Sequence, residues 1–216
     1  MANNIGAASH PIQAQLRIDP DKTFEKYDFV VDNSVYTQGT IGGACQLTCS
    51  DAGSQIYRLN AAQGSGDWFF PYINSSDGGV GMCEVPANQA NGTIVATGPM
   101  NGCLLQVNRA NDRLFFYHDL NGKNMKGKLV PGEVVALIEY EKYAGVENMG
   151  YNLASNYSGS HSTSGAIHEY FLVTVRVGNL WKTFCSSILK IQTSGNAISY
   201  QAFRPRRQKL VNIFQA

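Results

Sequence analysis

Cys103 and His118 are the residues of this chain whose types and spacing suit covalent chemistry. They lie in one stretch, TGPMNGCLLQVNRANDRLFFYH (residues 97–118), where two alternating apolar runs flank the turn-forming RAND at 109–112. A free thiol titrates near ~8.5 and is mostly protonated at neutral pH. An adjacent imidazole can take that proton, leaving a thiolate–imidazolium pair as nucleophile. If the loop is RAND, or only Ala110 and Asn111, Asn108 faces Arg113 and Cys103 faces His118, with Cβ atoms about 4.5–5.5 Å apart. This register puts Leu105, Val107, Leu114 and Phe116 on the same face as the pair. Leu104, Gln106, Asn108, Arg113, Phe115 and Tyr117 take the other face. Gly102, without a Cβ, lets backbone or substrate approach closely. Backbone N–H groups of the Asn101-Gly102-Cys103 turn could form an oxyanion hole. A cysteine and a histidine also meet across ordinary hairpins, so the pair alone leaves a purely structural reading open.

The elements that must position these residues read as mostly strands. Strand-like stretches are expected at 13–18, 27–31, 44–49, 55–59, 68–73, 93–97, 103–108, 113–118, 133–140, 169–177, 180–185 and 197–203. In EYFLVTVRV, Tyr170, Leu172, Thr174 and Arg176 alternate with Phe171, Val173, Val175 and Val177, the period of a strand. Turn chemistry separates the runs, as in NSSDGG, NQANG, DLNGKN and QTSGN. Helical signals are scarce: DPDKTFEKYDF begins a short helix capped by Asp19 or Asp21, then turns to strand. The expected fold is α+β and predominantly β, a two-sheet β-sandwich-like core with a few short flanking helices. Residues 1–216 read as a single domain, with 1–10 a loose N-terminus and His10 exposed there. The stretch 143–168 reads as one long Gly/Ser/Asn-rich loop, either a mobile lip over a site or plain surface. It carries His161 and His168, which could serve as base if the loop folds back over Cys103; His118 is the better candidate, because a flexible loop positions a base poorly. Asp119, next to His118 on a strand, points away from it and has no triad role.

Composition excludes several functions. The formal net charge of +1 supplies no field for nucleic acid. FRPRRQK (203–209) is the local exception, a solvated edge or a docking patch for an acidic protein. No run approaches the ~18 apolar residues of a membrane span. The first twenty residues lack the basic start and apolar core of a secretory signal, so folding in a reducing compartment is expected. The five cysteines, Cys45, Cys49, Cys83, Cys103 and Cys185, fit no zinc spacing. Cys45 and Cys49 on one strand would lie ~13 Å apart, too far to bridge. No metal or cofactor is called for, and a monomer is expected.

Read with its upstream segment, TGPMNGC followed by a His ending the next strand resembles the glutamine deamidase fold of the cytotoxic necrotizing factor toxins, the Burkholderia lethal factor and the chemotaxis deamidase CheD. The resemblance covers only residues 97–118. It implies that Cys103 is the nucleophile, His118 the general base and acid, and the main-chain carbonyl of Thr97 the group that orients the imidazole. Family members carry Ser-Gly or Gly-Ser before the cysteine where this chain has Asn101-Gly102. The implied activity is hydrolysis of a target-protein glutamine to glutamate through a thioester, without a cofactor. Such proteins are bacterial toxins or effectors that reach a host-cell cytosol. Transglutaminase or thiol protease chemistry could use the same dyad. A non-enzymatic rival is a carbohydrate- or protein-binding β-sandwich, for which DWFFPYINSS (67–76) is the candidate platform.

Overall fold

The computed structural model describes residues 10–34, 36, 41–74, 78–143, 163–193, 197–202 and 208–214. It has three layers: two short helices, a nine-stranded sheet and a four-stranded sheet. The helices are α1 (Pro11–Ile18) and α2 (Pro20–Lys26). The large sheet contains β1 (Asp28–Asp32), β2 (Gly43–Asp51), β3 (Ile56–Gln63), β4 (Asp67–Phe70), β6 (Ile94–Thr97), β10 (Thr163–Val177), β11 (Leu180–Thr193), β12 (Ile198–Ala202) and β13 (Gln208–Phe214). Its order is β1-β3-β2-β4-β6-β10-β11-β12, with β13 also pairing β11. The small sheet runs β5-β8-β7-β9, from β5 (Val80–Pro86), β7 (Leu104–Ala110), β8 (Arg113–Asp119) and β9 (Glu133–Ile138). A one-turn helix, α3 (Tyr140–Tyr143), follows β9. No helix among the described residues is long and apolar enough to cross a membrane.

Period-two alternation builds the layers. Tyr170 and Leu172 of β10 enter the core between the sheets, with Phe70, Cys83, Leu105, Val107, Phe116 and Trp181. Phe171, Val173 and Val175 point the other way, into the core under the helices with Leu16, Phe24, Phe29 and Phe184. The central strands β6, β10 and β11 are therefore buried on both faces, as their apolar runs require, while β2 and β12 keep exposed positions.

The sequence reading departs from the structure in several places. Residues 13–18 form helix, not strand: Pro11 starts α1, His10 Nδ1 accepts the Ile12 N–H at 3.2 Å, and Gln13 and Leu16 are buried. The Ala14-Leu16-Ile18 alternation that suggested a strand leaves Ile18 exposed. His10 is thus a half-buried cap, its ring 5.3 Å from that of Tyr57, rather than part of a loose terminus. Strand β5 went unread because Gly81 and Pro86 punctuate it; β13 went unread as well, and β11 runs to Thr193 rather than ending at Cys185. Finally, 163–168 is not loop but the start of β10, so His168 sits in a strand opposite Leu189. Helix α2, capped by the Asp19 carboxylate accepting Lys22 N–H, is as expected. The rest of the long connection, His161 included, and residues 203–207 of the basic stretch lie outside the described residues.

Candidate functional site

The β7–β8 hairpin turns on Asn111 and Asp112, and Asn111 adopts a left-handed φ of 53°. This pairs Ala110 with Arg113 and Leu105 with His118. Leu105, not Cys103, therefore lies opposite the histidine, which corrects the expected register. Cys103 precedes β7 and sits one step further along, diagonal to His118. Diagonal neighbours on one face have backbone spacings of ~7–8 Å, still within reach of longer side chains. The shift leaves the faces as expected, since both registers match residues of the same parity. Cys103, Leu105, Val107, Leu114 and Phe116 all enter the inter-sheet core.

His118 is fully buried, and its Nδ1 lies 2.8 Å from Thr97 Oγ1. The Thr97 hydroxyl donates its one proton to the Phe70 carbonyl at 2.8 Å. Its oxygen can then only accept from the ring, so Nδ1 carries the hydrogen and Nε2 keeps a bare lone pair. That Nε2 is buried without a hydrogen-bond partner. Burial pushes the imidazole pKa down to about 3, so the ring is neutral through the physiological range. Thr97 thus touches the histidine as the resemblance implied, but the contact runs through its hydroxyl rather than its main-chain carbonyl.

Cys103 is 2% exposed. Burial raises its thiol pKa, while backbone hydrogen bonds at Asn121 and Asn101 pull in the opposite direction. Its Sγ lies 3.8 Å from the Asn101 carbonyl. With the imidazole also neutral, the resting state is thiol and imidazole, not the expected thiolate–imidazolium pair. Gly102 turns the chain into β7 at φ 78°, a conformation that disfavours a side chain. Asn121 Oδ1 stands 3.9 Å from where a Gly102 Cβ would lie, so the turn after β8 backs directly onto the turn before β7. Tyr143 of α3 fixes the other side, its hydroxyl donating to the Cys103 carbonyl at 2.7 Å.

Tyr72 covers the histidine, with ring centroids 5.4 Å apart in an edge arrangement. Gly81 makes this possible: it pairs with His118 across β5 and β8, and a Cβ there would stand only 1.8 Å from the Pro71 carbonyl oxygen. Tyr72, 42% exposed, forms one wall of an open cleft of about 310 Å³. Asn33, Gly98, Pro99, Asn101 and Glu169 line the remainder. Gly98, Pro99 and Asn101 belong to the segment joining Thr97 to Cys103, so the cleft borders that segment, while neither Cys103 nor His118 lines it.

Thr97 and His118 are therefore in direct contact, and Asn101 and Gly102 form the turn at Cys103. No hydrogen bond joins Cys103 to His118. Asn121 and Tyr143 escaped the sequence reading as site residues, and Tyr72 was read only as part of the candidate platform DWFFPYINSS; Asn121 carried a local signal, the Asn-Gly pair of DLNGKN. His168 is engaged elsewhere, with Nε2 2.7 Å from Ser187 Oγ and its ring stacked on Tyr170 at 5.0 Å. Asp119 does turn away from the histidine and accepts hydrogen bonds from Asn124 and Met125. In DWFFPYINSS, Phe69 and Phe70 are core and Trp68 packs against it, so Tyr72 is the only strongly exposed aromatic there. No cluster of three potential metal ligands occurs among the described residues. Neither a protein-family model nor a curated protein matches the chain.

Proposed function

We propose that this chain is a cysteine-dependent protein glutamine deamidase, with Cys103 as nucleophile and His118 as general base and acid. One observation carries the reading: an imidazole fixed by Thr97 in the Nδ1–H tautomer, its Nε2 lone pair buried and unpartnered on the face it shares with Cys103. A buried base with no partner is costly, and a catalytic role is one explanation for a folded chain that keeps one. The resemblance of residues 97–118 to deamidase toxins supports the same assignment, and delivery into a host cell as an effector rests on that resemblance alone.

Because thiol and imidazole are both neutral at rest, proton transfer accompanies attack. A rotation of the Cys103 side chain brings Sγ toward Nε2, which takes the thiol proton as sulfur bonds to the carboxamide carbon. The protonated imidazole then gives that proton to the departing nitrogen, releasing ammonia and leaving a thioester. Water, deprotonated by the same Nε2, attacks the thioester carbon, and the proton returns to the sulfur as glutamate leaves. Backbone N–H groups around Asn101, Gly102 and Asn121 are the nearest groups to stabilise the oxyanion. Tyr72 must swing aside to admit the substrate and, once back, excludes bulk water.

The test is mass spectrometry of a host-cell lysate incubated with wild-type protein or with Cys103→Ser, alongside an ammonia assay. Conversion of a particular glutamine to glutamate with ammonia release, both absent in the variant, is the expected result. Cross-linked products would reassign the dyad to transglutaminase chemistry, and identical lysates would remove the enzymatic reading.

A further inference from the structure

The cleft beside Tyr72 has a chemistry of its own. Among the described residues lining it, Glu169 is the only one with a formal charge. Asn33 and Asn101 add amide groups, Tyr72 an exposed aromatic ring, and Pro99 an apolar surface. Its volume of about 310 Å³ is at the bottom of the ~300–1,000 Å³ range of ligand sites, room for one long side chain rather than a cofactor. Glu169 projects from β10 with its side chain 12% exposed. Its Oε1 takes the Lys190 ammonium at 3.2 Å, and Lys190 itself does not line the cleft. A carboxylate offers about four lone-pair sites, so one lysine leaves acceptor capacity on a residue that lines the cleft.

We propose that this cleft binds a cationic side chain, arginine above all, that flanks the target glutamine in the substrate protein. The proposal rests on the deamidase reading for the word substrate, though not for the binding chemistry. A guanidinium suits the walls in three ways. It forms charge-assisted hydrogen bonds to Glu169, lies against the Tyr72 face, and donates to the Asn33 and Asn101 side-chain oxygens. An acidic side chain would meet Glu169 with no cation among the described wall residues. Position supports the assignment too: Pro99 and Asn101 sit between the residue that orients His118 and the candidate nucleophile. Tyr72 both lines the cleft and packs against the His118 ring, so a side chain anchored there stands one aromatic ring away from the imidazole.

Lys190 makes the proposal discriminating. It shares Glu169 with the incoming cation and repels it, so removing Lys190 should help binding while removing Glu169 should harm it. If Glu169 serves only to pair β10 with β11, the two variants should behave alike.

The experiment uses short capped peptides with one glutamine flanked on either side by Arg, Ala or Glu. Deamidation is followed by ammonia release with wild type, Glu169→Gln and Lys190→Met. Wild type should favour an Arg peptide over its Ala counterpart by roughly tenfold, the scale of one charge-assisted hydrogen bond. Glu169→Gln should erase the preference, and Lys190→Met should enlarge it. Binding of the same peptides to Cys103→Ala protein, with and without Glu169→Gln, reads the cleft without turnover. Turnover with no preference for Arg, or a preference that survives Glu169→Gln, overturns the cleft and leaves the deamidase standing. Arg-selective, Glu169-dependent binding without turnover in wild type keeps the cleft and overturns the deamidase. Absence of both overturns both.

Discussion

One hydroxyl proton sets the state of His118. Because Thr97 donates to Phe70, the ring must donate to Thr97, and the nitrogen left bare is the buried one. Burial then keeps that nitrogen unprotonated down to about pH 3, against about 6.5 for an unperturbed histidine. Between these values the unfolded chain binds a proton that the folded chain does not, so stability rises with pH. It should therefore be fully present above about pH 6.5, decline as pH falls toward about 3, and level off below. The steepest contribution of one such group is about 1.4 kcal/mol per pH unit. Urea unfolding at several pH values between 4 and 7, for wild type and His118→Gln, isolates this slope in the difference. Carboxylates common to both proteins cancel. Parallel stability–pH curves for the two proteins would show that the imidazole can charge in place and is not buried as described.

At the scale of the element, the hairpin shows what was legible and what was not. Alternation assigned Leu105, Val107, Leu114 and Phe116 to the core, and that holds because the face depends only on parity. The cross-strand partner depends on which two residues make the turn, and RAND permits Ala110-Asn111 or Asn111-Asp112 on propensity alone. Asn tolerates a left-handed φ, and Asn111 adopts one at the turn's first position. Leu105 rather than Cys103 thus came to face His118. Helix α1 was misread because residues 13–18 alternate like a strand, and the Pro11 that starts the helix lies outside that window. Tyr72 and Tyr143 reach the site only through tertiary packing, which no local pattern encodes. The Thr97 link was visible only through resemblance, and its hydroxyl chemistry not at all. After β8, Asp119 pins the next turn: its fully buried carboxylate accepts from Asn124 N at 3.0 Å, Asn124 Nδ2 at 2.8 Å and Met125 N at 2.8 Å. Asp119→Ala strands these donors and should lower stability by ~3 kcal/mol, given 1.5–3 for each bond to a charged group and incomplete additivity. Faster hydrogen exchange at Asn124 and Met125, and altered alkylation of Cys103 through the displaced Asn121, would be the local signs. Unchanged exchange at both amides would mean the carboxylate does not hold the turn.

For the molecule as a whole, the question is whether three layers behave as one unit, since helices and small sheet occupy opposite faces of the nine-stranded sheet. Arg17 of α1 gives the handle. Its guanidinium grips both oxygens of Asp67 in β4, at 2.7 and 2.6 Å, and the Gly92 carbonyl at 2.7 Å. The Asp67 side chain, 3% exposed, also accepts from Leu47 N in β2 and Ile94 N in β6. A single carboxylate therefore joins the helical layer to three strands, and Thr97 ends one of them. Arg17→Met keeps much of the apolar stem but leaves the buried carboxylate without its countercharge, a loss of ~3–5 kcal/mol. Asp67→Asn in the same chain removes the orphaned charge while retaining an acceptor, so the double variant should be more stable than Arg17→Met alone. Both tryptophans, Trp181 fully buried between the sheets and Trp68 packed against the same core, report on the far side of the large sheet from α1. If the layers are one cooperative unit, the tryptophan fluorescence transition in urea and the far-ultraviolet circular dichroism should shift together in Arg17→Met. A fluorescence midpoint left in place while the dichroism moves would mean that the helical layer melts by itself. The site, to which α1 and α2 contribute no residue, would then not depend on those helices for its geometry.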